Sequence, residues 1–295
     1  MTWPPDRNRH HGRIVAALYR QAASVPCERK VVLAGGLRGA DKDGALAKAG
    51  LHRSRYLTVS IDSILEELAR RSLIPVVAGR LPLEAADLVH GQAQDIAARL
   101  AARALADGRN VLLDTTMASE TSVKSWLRVM DLAGCSLDVV IADITADDAI
   151  RWSGRAQEAG NERHRRGIGH GGRHVPAEAI RAAEPALEAV AATDWATVIA
   201  YLSRRRTVQF PGSDTMSLIY HYQAGRLTQD GLVRQIRQRP WAPVPPICPP
   251  SLTLARLAID DPKPWIPGSF DEVVLAYDLG LLADEDYEVL VRALD

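Results

Sequence analysis

The stretch VVLAGGLRGADKDGAL, residues 31–46, places a glycine-rich turn and a lysine directly after an apolar run. A phosphate-binding P-loop reads G-x-x-x-x-G-K-[S/T] after a buried strand, because its backbone N–H groups surround the phosphates while the lysine neutralises their charge. In that frame Gly36 is the first glycine and Lys42 is the lysine. The stretch therefore predicts a strand, a tight turn and a helix at the edge of a sheet.

Two positions of this loop depart from the pattern. Asp41 stands where the second glycine belongs, and Asp43 stands where a Mg²⁺-binding hydroxyl belongs. A carboxylate beside phosphates is repelled, whereas a carboxylate in place of the hydroxyl can itself bind Mg²⁺. The loop alone fits either a nucleotide site or an ordinary strand-to-helix turn. If it binds a nucleotide, the cofactor-binding residues are Gly36, Gly39, Lys42 and Asp43.

Outward from this loop, strand-like apolar runs alternate with segments of helical periodicity. The predicted strands are 31–35, 56–61, 110–114, 137–144 and 196–202. The predicted helices are 12–24, 63–71, 85–106 and 122–132. Such alternation predicts an α/β fold with a parallel sheet flanked by helices, in which ligands bind at the carboxyl ends of the strands.

The composition narrows the class of protein. The chain has 295 residues and is 47% hydrophobic, which is enough for a sizeable core. No apolar run approaches the roughly 20 residues that span a bilayer, and the first residues lack the apolar stretch of a signal peptide. The three cysteines are far apart, so we expect a reduced, cytoplasmic protein with no membrane association. We expect no nucleic-acid partner, because no basic patch is interleaved with aromatic residues.

The charge and the proline content of the sequence change after residues 204–206. Residues 207–295 carry a net charge of −5 and residues 1–206 a net charge of +5, so the two parts either attract each other or are simply solvated. We therefore divide the chain into an N-terminal helix (1–27), a core domain (28–206) and an acidic C-terminal region (207–295).

The C-terminal region predicts two short helical hairpins. The pattern Tyr-x-x-Gly-x-Leu at 222–227 recurs at 277–282, and each copy predicts a helix, a glycine stop and a second helix that begins at Thr228 or Ala283. Chance similarity is the alternative. Residues 240–267 hold 9 of the 17 prolines and predict an extended tether between the hairpins. No motif in this region indicates chemistry.

Polar residues follow two of the predicted strands. Asp62 comes after the second strand, where it could face a substrate or cap the next helix. Asp114 ends the third strand, where it could hold Mg²⁺ through water or serve as a turn residue. Asp43 and Asp114 are the candidate metal ligands, and Asp62 and Asp114 are candidate substrate-binding residues.

Residues 151–174, RWSGRAQEAGNERHRRGIGHGGRH, contain six arginines and two acids. Arginine-rich segments of this kind close as lids onto transferring phosphate groups, and the glycine-rich run 169–172 favours a hinge. A solvated basic helix face is the alternative interpretation.

The order of these pieces resembles the zeta toxin family of P-loop kinases over about residues 28–206. The similar phrases are YLTVSIDSILEEL (56–68), LVHGQAQDIAARLAARALADGRNVLLDTTMAS (88–119) and RHRRGIGHGGRHVPAEAI (163–180). The resemblance implies a P-loop kinase-like α/β core, and the small helical, proline-rich C-terminal region lies beyond the residues that it covers. It also implies transfer of the ATP γ-phosphate, with Mg²⁺, to a sugar nucleotide such as UDP-N-acetylglucosamine. A separate or fused antitoxin normally blocks that activity, so an antitoxin or other protein partner could use the acidic C-terminal region.

The resemblance also implies roles for individual residues. Lys42 would bind phosphate, Asp62 would deprotonate the sugar 3′-hydroxyl, and Thr116 would contact the substrate. The lid candidates are Arg155, Arg163 and Arg166, which together with Lys42 and Asp62 make up the predicted catalytic set.

Four departures from the family pattern lie around the predicted cleft. Besides Asp41 and Asp43, Thr115 replaces a usual glycine and Gly91 replaces a frequent glutamate. Three hypotheses follow: a kinase with an unusual P-loop, a catalytically inactive pseudokinase that acts as a binding or regulatory module, and a kinase for another acceptor.

Overall fold

The computed structural model of the protein describes residues 5–204, 208–243 and 258–294. Its centre is a parallel four-stranded sheet of order β2-β3-β1-β4. The strands are β1 (Lys30–Gly35), β2 (Leu57–Ser60), β3 (Val111–Asp114) and β4 (Ser136–Ile141). In this register Ala34 of β1 lies opposite Asp114 of β3, and Ser60 of β2 lies on the other side of Asp114. The ends of three strands therefore meet at one edge.

Helices cover both faces of the sheet. They are α1 (Pro5–Gln21), α2 (Lys42–Lys48), α3 (Ile61–Arg70), α4 (His90–Ala106), α5 (Glu120–Leu132), α6 (Ala146–Arg165), α7 (Ala177–Ala191), α8 (Trp195–Arg204), α9 (Asp214–Gln223), α10 (Gln229–Arg237), α11 (Asp271–Asp278) and α12 (Asp284–Arg292). Two 3₁₀ segments, Arg53–Arg55 and Pro82–Val89, complete the described elements. The predicted α/β class, a P-loop kinase-like sheet flanked by helices with a helical C-terminal region, is confirmed.

The predicted fifth strand, 196–202, is wrong, because this segment lies in α8. Trp195, Ile199 and Leu202 follow a helical spacing and pack toward the core. The Asp194 side chain accepts the N–H of Thr197 and so caps the first turn. A local cap and a helical apolar stripe thus override the β-branched residues, and α8 packs against the edge strand β4.

The predicted helix 85–106 begins as a 3₁₀ segment, and the α-helix itself starts at His90. Helix α4 packs against α1 and α3, and most of its residues are buried. Within the described ranges, no helix has the length and apolarity needed to cross a membrane.

The C-terminal region contains two helix pairs. Helices α9 and α11 each end before a glycine with a left-handed backbone, Gly225 (φ 68°) and Gly280 (φ 74°). Apolar residues of α9, α10, α11 and α12 form a shared small core. Arg99 of α4 makes a bidentate ion pair with Asp278 of α11 at 2.8 and 2.6 Å, and both side chains are buried. The second helix pair is therefore fixed to the core.

Half of the predicted proline-rich tether, residues 244–257, lies outside the described residues. Its described parts are 240–243 and 258–267, and the second of these packs into the protein. Ile259 and Trp265 are buried in the main core, and Trp265 packs edge-on against Phe210. We call residues 258–265 the strap.

Candidate functional site

The carboxyl ends of β1, β2 and β3 surround a small cleft. Its cavity has a volume of about 170 Å³. The lining residues include Arg38, Gly39, Lys42, Asp62, Asp114 and Asp260. We refer to Gly36, residues 39–43, Arg53 and Asp114 as the loop half of this cleft. The arginine half comprises Arg38, Asp62, Thr116 and Arg173.

The backbone of the loop half makes the tight turn that the sequence predicts. Gly36 and Gly39 have φ values of 150° and 98°, and a Cβ atom at Gly39 would lie 2.4 Å from the carbonyl oxygen of Ala149. The turn is closed by its own carbonyls: the N–H of Ala40 donates to Leu37 and the N–H of Lys42 donates to Ala40, both at 2.9 Å. Two N–H groups of the loop are thus already bonded within it.

Asp41 acts as the N-cap of α2. Its Oδ1 accepts the N–H of Gly44 at 2.9 Å. This arrangement stabilises the helix, since the carboxylate meets both an unpaired donor and the positive end of the helix dipole. A bound phosphate uses the same donors and the same dipole. The protein's own carboxylate therefore stands at the place where a P-loop receives its ligand.

Lys42 and Arg53 both contact Asp114. The Lys42 Nζ lies 2.6 Å from Asp114 Oδ1 and donates to the carbonyl of Thr115 at 3.0 Å. Arg53 donates to Asp114 Oδ2 at 2.7 Å and also to Asp43. Burial would lower the pKa of Arg53, but the two carboxylates outweigh that effect and raise it. A permanent cation therefore bridges the two predicted metal ligands.

These observations test whether the residues fit Mg²⁺ and ATP. Asp43 and Asp114 are bridged by the Arg53 guanidinium, and Asp41 occupies a donor of the phosphate cradle. Among the described residues, no three His, Cys, Asp or Glu side chains cluster as a metal site. The loop half, as folded, does not fit the magnesium nucleotide.

Asp62 lies between two arginines in the other half of the cleft. Arg38 Nη1 contacts both of its carboxylate oxygens at 2.7 Å, and Arg173 Nη1 contacts Oδ1 at 2.9 Å. Partial loss of hydration would raise the pKa of Asp62, but the positive charges of Arg38 and Arg173 outweigh this effect and lower it. About half of the side chain is accessible (53%), so solvent screens part of that effect. Asp62 is ionised but is a weak proton acceptor while both arginines hold it.

The strap crosses the arginine half. The Thr116 hydroxyl donates to the carbonyl of Ala258 at 3.0 Å and accepts the N–H of Asp260. His90 Nε2 lies 3.0 Å from the carbonyl oxygen of Ile259, which can only accept, so His90 donates there. Thr116, the predicted substrate contact, is therefore bonded to the protein's own chain.

Two consecutive acids of the strap have different surroundings. Asp260 Oδ1 pairs with Arg173 at 2.7 Å, and its Oδ2 lies 3.7 Å from Arg38. Asp261 accepts the N–H groups of Met117 and Ser119 at 2.7 and 2.9 Å, below the cleft floor. Burial raises the pKa of Asp261 to about 7, and the nearby charge of Asp260 adds to the rise.

The lid candidates are dispersed along α6 and the turn after it. Arg163 lines a second cavity of about 170 Å³ beside Arg38 and Arg173. Arg155 is exposed on α6 outside both cavities, and Arg166 pairs with Glu162 at the surface. The structure therefore brings one of the three to a cavity that shares Arg38 and Asp62 with the cleft.

The end of the glycine-rich run is packed against α6. Gly172 lies so close to the helix that a Cβ atom there would be 2.1 Å from the carbonyl oxygen of Gln157, and its N–H donates to Asn161 at 2.7 Å. These glycines allow a close backbone approach. The turn places Arg173, which is buried, next to Asp62.

Sequence reasoning missed five residues of the cleft: Arg38, Arg53, Arg173, Asp260 and Asp261. Arg38 lies in the glycine-rich loop and Arg173 in the arginine-rich segment 151–174. Their positive charge was the sequence feature that could have identified them as site residues. The C-terminal region, in which no motif indicates chemistry, contributes Asp260 to the lining of the cavity. The acid pair in IDDPKPW, 259–265, was its only local signal.

The comparisons with known proteins agree with this geometry at the level of the family. The zeta toxin family model matches residues 26–214, which is more than half of the chain. A search of curated proteins and a search of solved structures found no significant match. The family consists of P-loop kinase-like phosphotransferases that generally use ATP and Mg²⁺, act on nucleotide substrates and often have antitoxin partners. On the strength of this match and the parallel sheet beneath the loop, the chain belongs to the zeta toxin family.

Proposed function

We propose that this chain is a pseudokinase of the zeta toxin family, a binding or regulatory module that does not load magnesium nucleotide. The observation that carries the proposal is the ion-pair chain Lys42–Asp114–Arg53–Asp43. In this chain, the phosphate-binding lysine and both candidate metal ligands are engaged with one another. A magnesium nucleotide would therefore compete with these contacts for Lys42, Asp43 and Asp114.

The charge of the loop half supports the same proposal. Lys42 and Arg53 supply two positive charges, whereas Asp41, Asp43 and Asp114 supply three negative ones. The loop half is therefore negative before an ATP polyanion approaches it. Coulomb repulsion opposes binding, and it is stronger near a protein surface than in bulk water. A working P-loop relies on the opposite balance.

Isothermal titration with a non-hydrolysable ATP analogue and Mg²⁺ tests this proposal. We expect no binding tighter than about millimolar for the wild-type protein, and no change in Lys42→Ala, because the lysine already serves Asp114. The variant Asp41→Gly/Asp43→Ser/Arg53→Gln restores the glycine and hydroxyl of the motif and removes the bridging cation, so it should bind the analogue more tightly. Micromolar, Mg²⁺-dependent binding by the wild type that Lys42→Ala abolishes would refute the proposal.

A kinase remains the second candidate because Lys42, Asp62 and Asp114 converge on one cavity. In that case the protein would transfer the ATP γ-phosphate to a sugar nucleotide such as UDP-N-acetylglucosamine, with Asp62 as base. Both arginines would first have to release Asp62, and Arg53 would have to leave Asp114. Phosphate transfer that is abolished by Lys42→Ala and by Asp62→Ala in folded protein would favour this candidate. An antitoxin or other partner on the acidic C-terminal region belongs to either candidate.

A further inference from the structure

The structure assigns to Asp260 the role of an internal anion that fills a two-arginine subsite. Arg38 and Arg173 form the subsite, and its ligand class is a phosphate or diphosphate group. As long as the Asp260 carboxylate is present, the arginine half is closed to such anions. The inference concerns the arginine half alone, so it stands or falls separately from nucleotide binding at the loop.

The charges around the subsite are balanced from within. Two guanidinium groups, Arg38 and Arg173, face two carboxylates, Asp62 and Asp260. In the adjoining cavity, Arg163 is accompanied by Glu66. An incoming phosphate therefore meets no net positive charge. If the Asp260 charge is removed, the pair of arginines keeps one carboxylate and gains an excess positive charge that favours an anion.

The strap itself is too firmly held for a small anion to displace it. Ile259, Asp261 and Trp265 are buried, and hydroxyl groups of Ser122 and Ser125 donate to the carbonyls of Pro262 and Trp265. To leave the cleft, the strap would have to expose these apolar side chains to water and break these hydrogen bonds. The closure therefore does not depend on an equilibrium between bound and free strap.

The Asp260 carboxylate differs from every other anchor of the strap. Within the described residues, its ion pairs are with Arg38 and Arg173, both of which line the second cavity. Asp261, by contrast, binds the backbone of the loop after β3. Neutralising Asp260 should therefore change the charge of the subsite and leave the path of the strap in place.

Titration calorimetry with inorganic pyrophosphate tests the assignment. Asp260→Asn keeps the shape and the backbone N–H bonded to Thr116, and it should bind pyrophosphate at least about tenfold more tightly than the wild type, because one opposing charge is lost. Asp260→Glu retains the charge and should behave like the wild type. Asp230→Asn, which removes an exposed acid from α10 of the same C-terminal region, is the matched control and should also behave like the wild type.

A gain of binding cannot arise from misfolding, which makes the result decisive. Equal affinity of Asp260→Asn and wild type would overturn the assignment, as would an equal gain in Asp230→Asn. If Asp260→Asn does not fold, Asp260→Ser provides the same test with a smaller side chain. Failure of both variants to fold would show that the carboxylate is a structural requirement, and that result would also overturn the assignment.

Discussion

In the loop half of the cleft, the groups that occupy the site come from one short segment and its neighbouring strand, namely Asp41, Asp43, Arg53 and Asp114. In the arginine half, the occupying group is Asp260, which arrives from a strap about two hundred residues further along the chain. The loop half is occupied by residues in and near the P-loop motif. The arginine half is occupied by a residue of the strap, which lies outside that motif. The family motif therefore predicts the residues of the loop half, but it contains no information about the residue that occupies the arginine half.

The largest expected effect comes from separating the C-terminal helices from the core. Arg99→Ala leaves Asp278 buried without its partner, and removing one member of a buried ion pair costs about 3–5 kcal/mol of unfolding free energy. Because α11 follows the strap directly, the loss should also expose the strap. Urea denaturation measures the first effect, and hydrogen exchange of residues 258–265 measures the second.

Arg103→Ala, on the same helix, is the control for loss of an arginine from α4. Arg103 packs over the Tyr19 ring instead of pairing with Asp278. If Arg99→Ala destabilised the protein no more than Arg103→Ala, the C-terminal helices would not be fixed through this pair, and the account of the arginine half would lose its anchor.

The stability of the strap should fall as the pH rises from 5 to 8. The folded pKa of Asp261 is raised to about 7 from an ordinary value of 3.8, so the folded protein holds a proton that the unfolded chain releases. This contribution is complete below pH 4 and is lost as the pH passes 7, a change of about 3 kcal/mol between pH 5 and pH 8. Asp62 and Asp95, with lowered pKa values, are ionised throughout this interval in both states.

Urea denaturation at pH 5, 6, 7 and 8 checks the slope. Asp261→Asn should flatten it, because an amide has no proton to lose. A slope that is unchanged in Asp261→Asn would mean that another group titrates.

Thr116→Val should weaken the strap by about 1–3 kcal/mol, since the Ala258 carbonyl and the Asp260 N–H would both be left buried and unpaired. Ser122→Ala removes a single bond, to the carbonyl of Pro262, and should cost less. Hydrogen exchange of the strap amides measures both variants. Equal protection in Thr116→Val and wild type would return Thr116 to the role of a free substrate contact.

The smallest expected effect lies in the loop half. Asp41→Ala removes the N-cap of α2 and should lower the stability by about 1 kcal/mol, whereas Asp41→Gly should cost only a few tenths. Thermal unfolding of the two variants measures the difference. If Asp41→Ala left the stability unchanged, the carboxylate would not stabilise α2 as its N-cap, and the presence of Asp41 in the loop would need another explanation.

Much of the fold could be predicted because the signals are local. The apolar run 31–35, the glycine turn and the helical spacing of 63–71 each predict an element from a few neighbouring residues. The prediction of a strand at 196–202 was wrong because its apolar residues also fit the spacing of an amphipathic helix. Packing against β4 stabilises the segment as helix α8. In the cleft, Lys42, Asp62 and Asp114 were predictable because parallel strands end at one edge.

The partners of those residues were not predictable. Arg53 reaches Asp43 from a 3₁₀ turn ten residues later, and Asp260 reaches Arg173 across 87 positions of the chain. No periodicity or spacing in the sequence predicts either contact. The position of Asp260 depends on how the C-terminal helices pack against α4. The prediction of an extended tether followed proline content, which does not indicate that Ile259 and Trp265 are buried and so determine where the strap lies.

The most direct test of a cleft filled from within is a crystal structure of the wild-type protein grown with millimolar ATP analogue, Mg²⁺ and UDP-N-acetylglucosamine. The account predicts that Arg53 still bridges Asp43 and Asp114, that Asp260 still pairs with Arg173, and that no triphosphate lies on residues 36–43. A triphosphate seated on that loop, with Lys42 turned from Asp114 toward its phosphates, would contradict it.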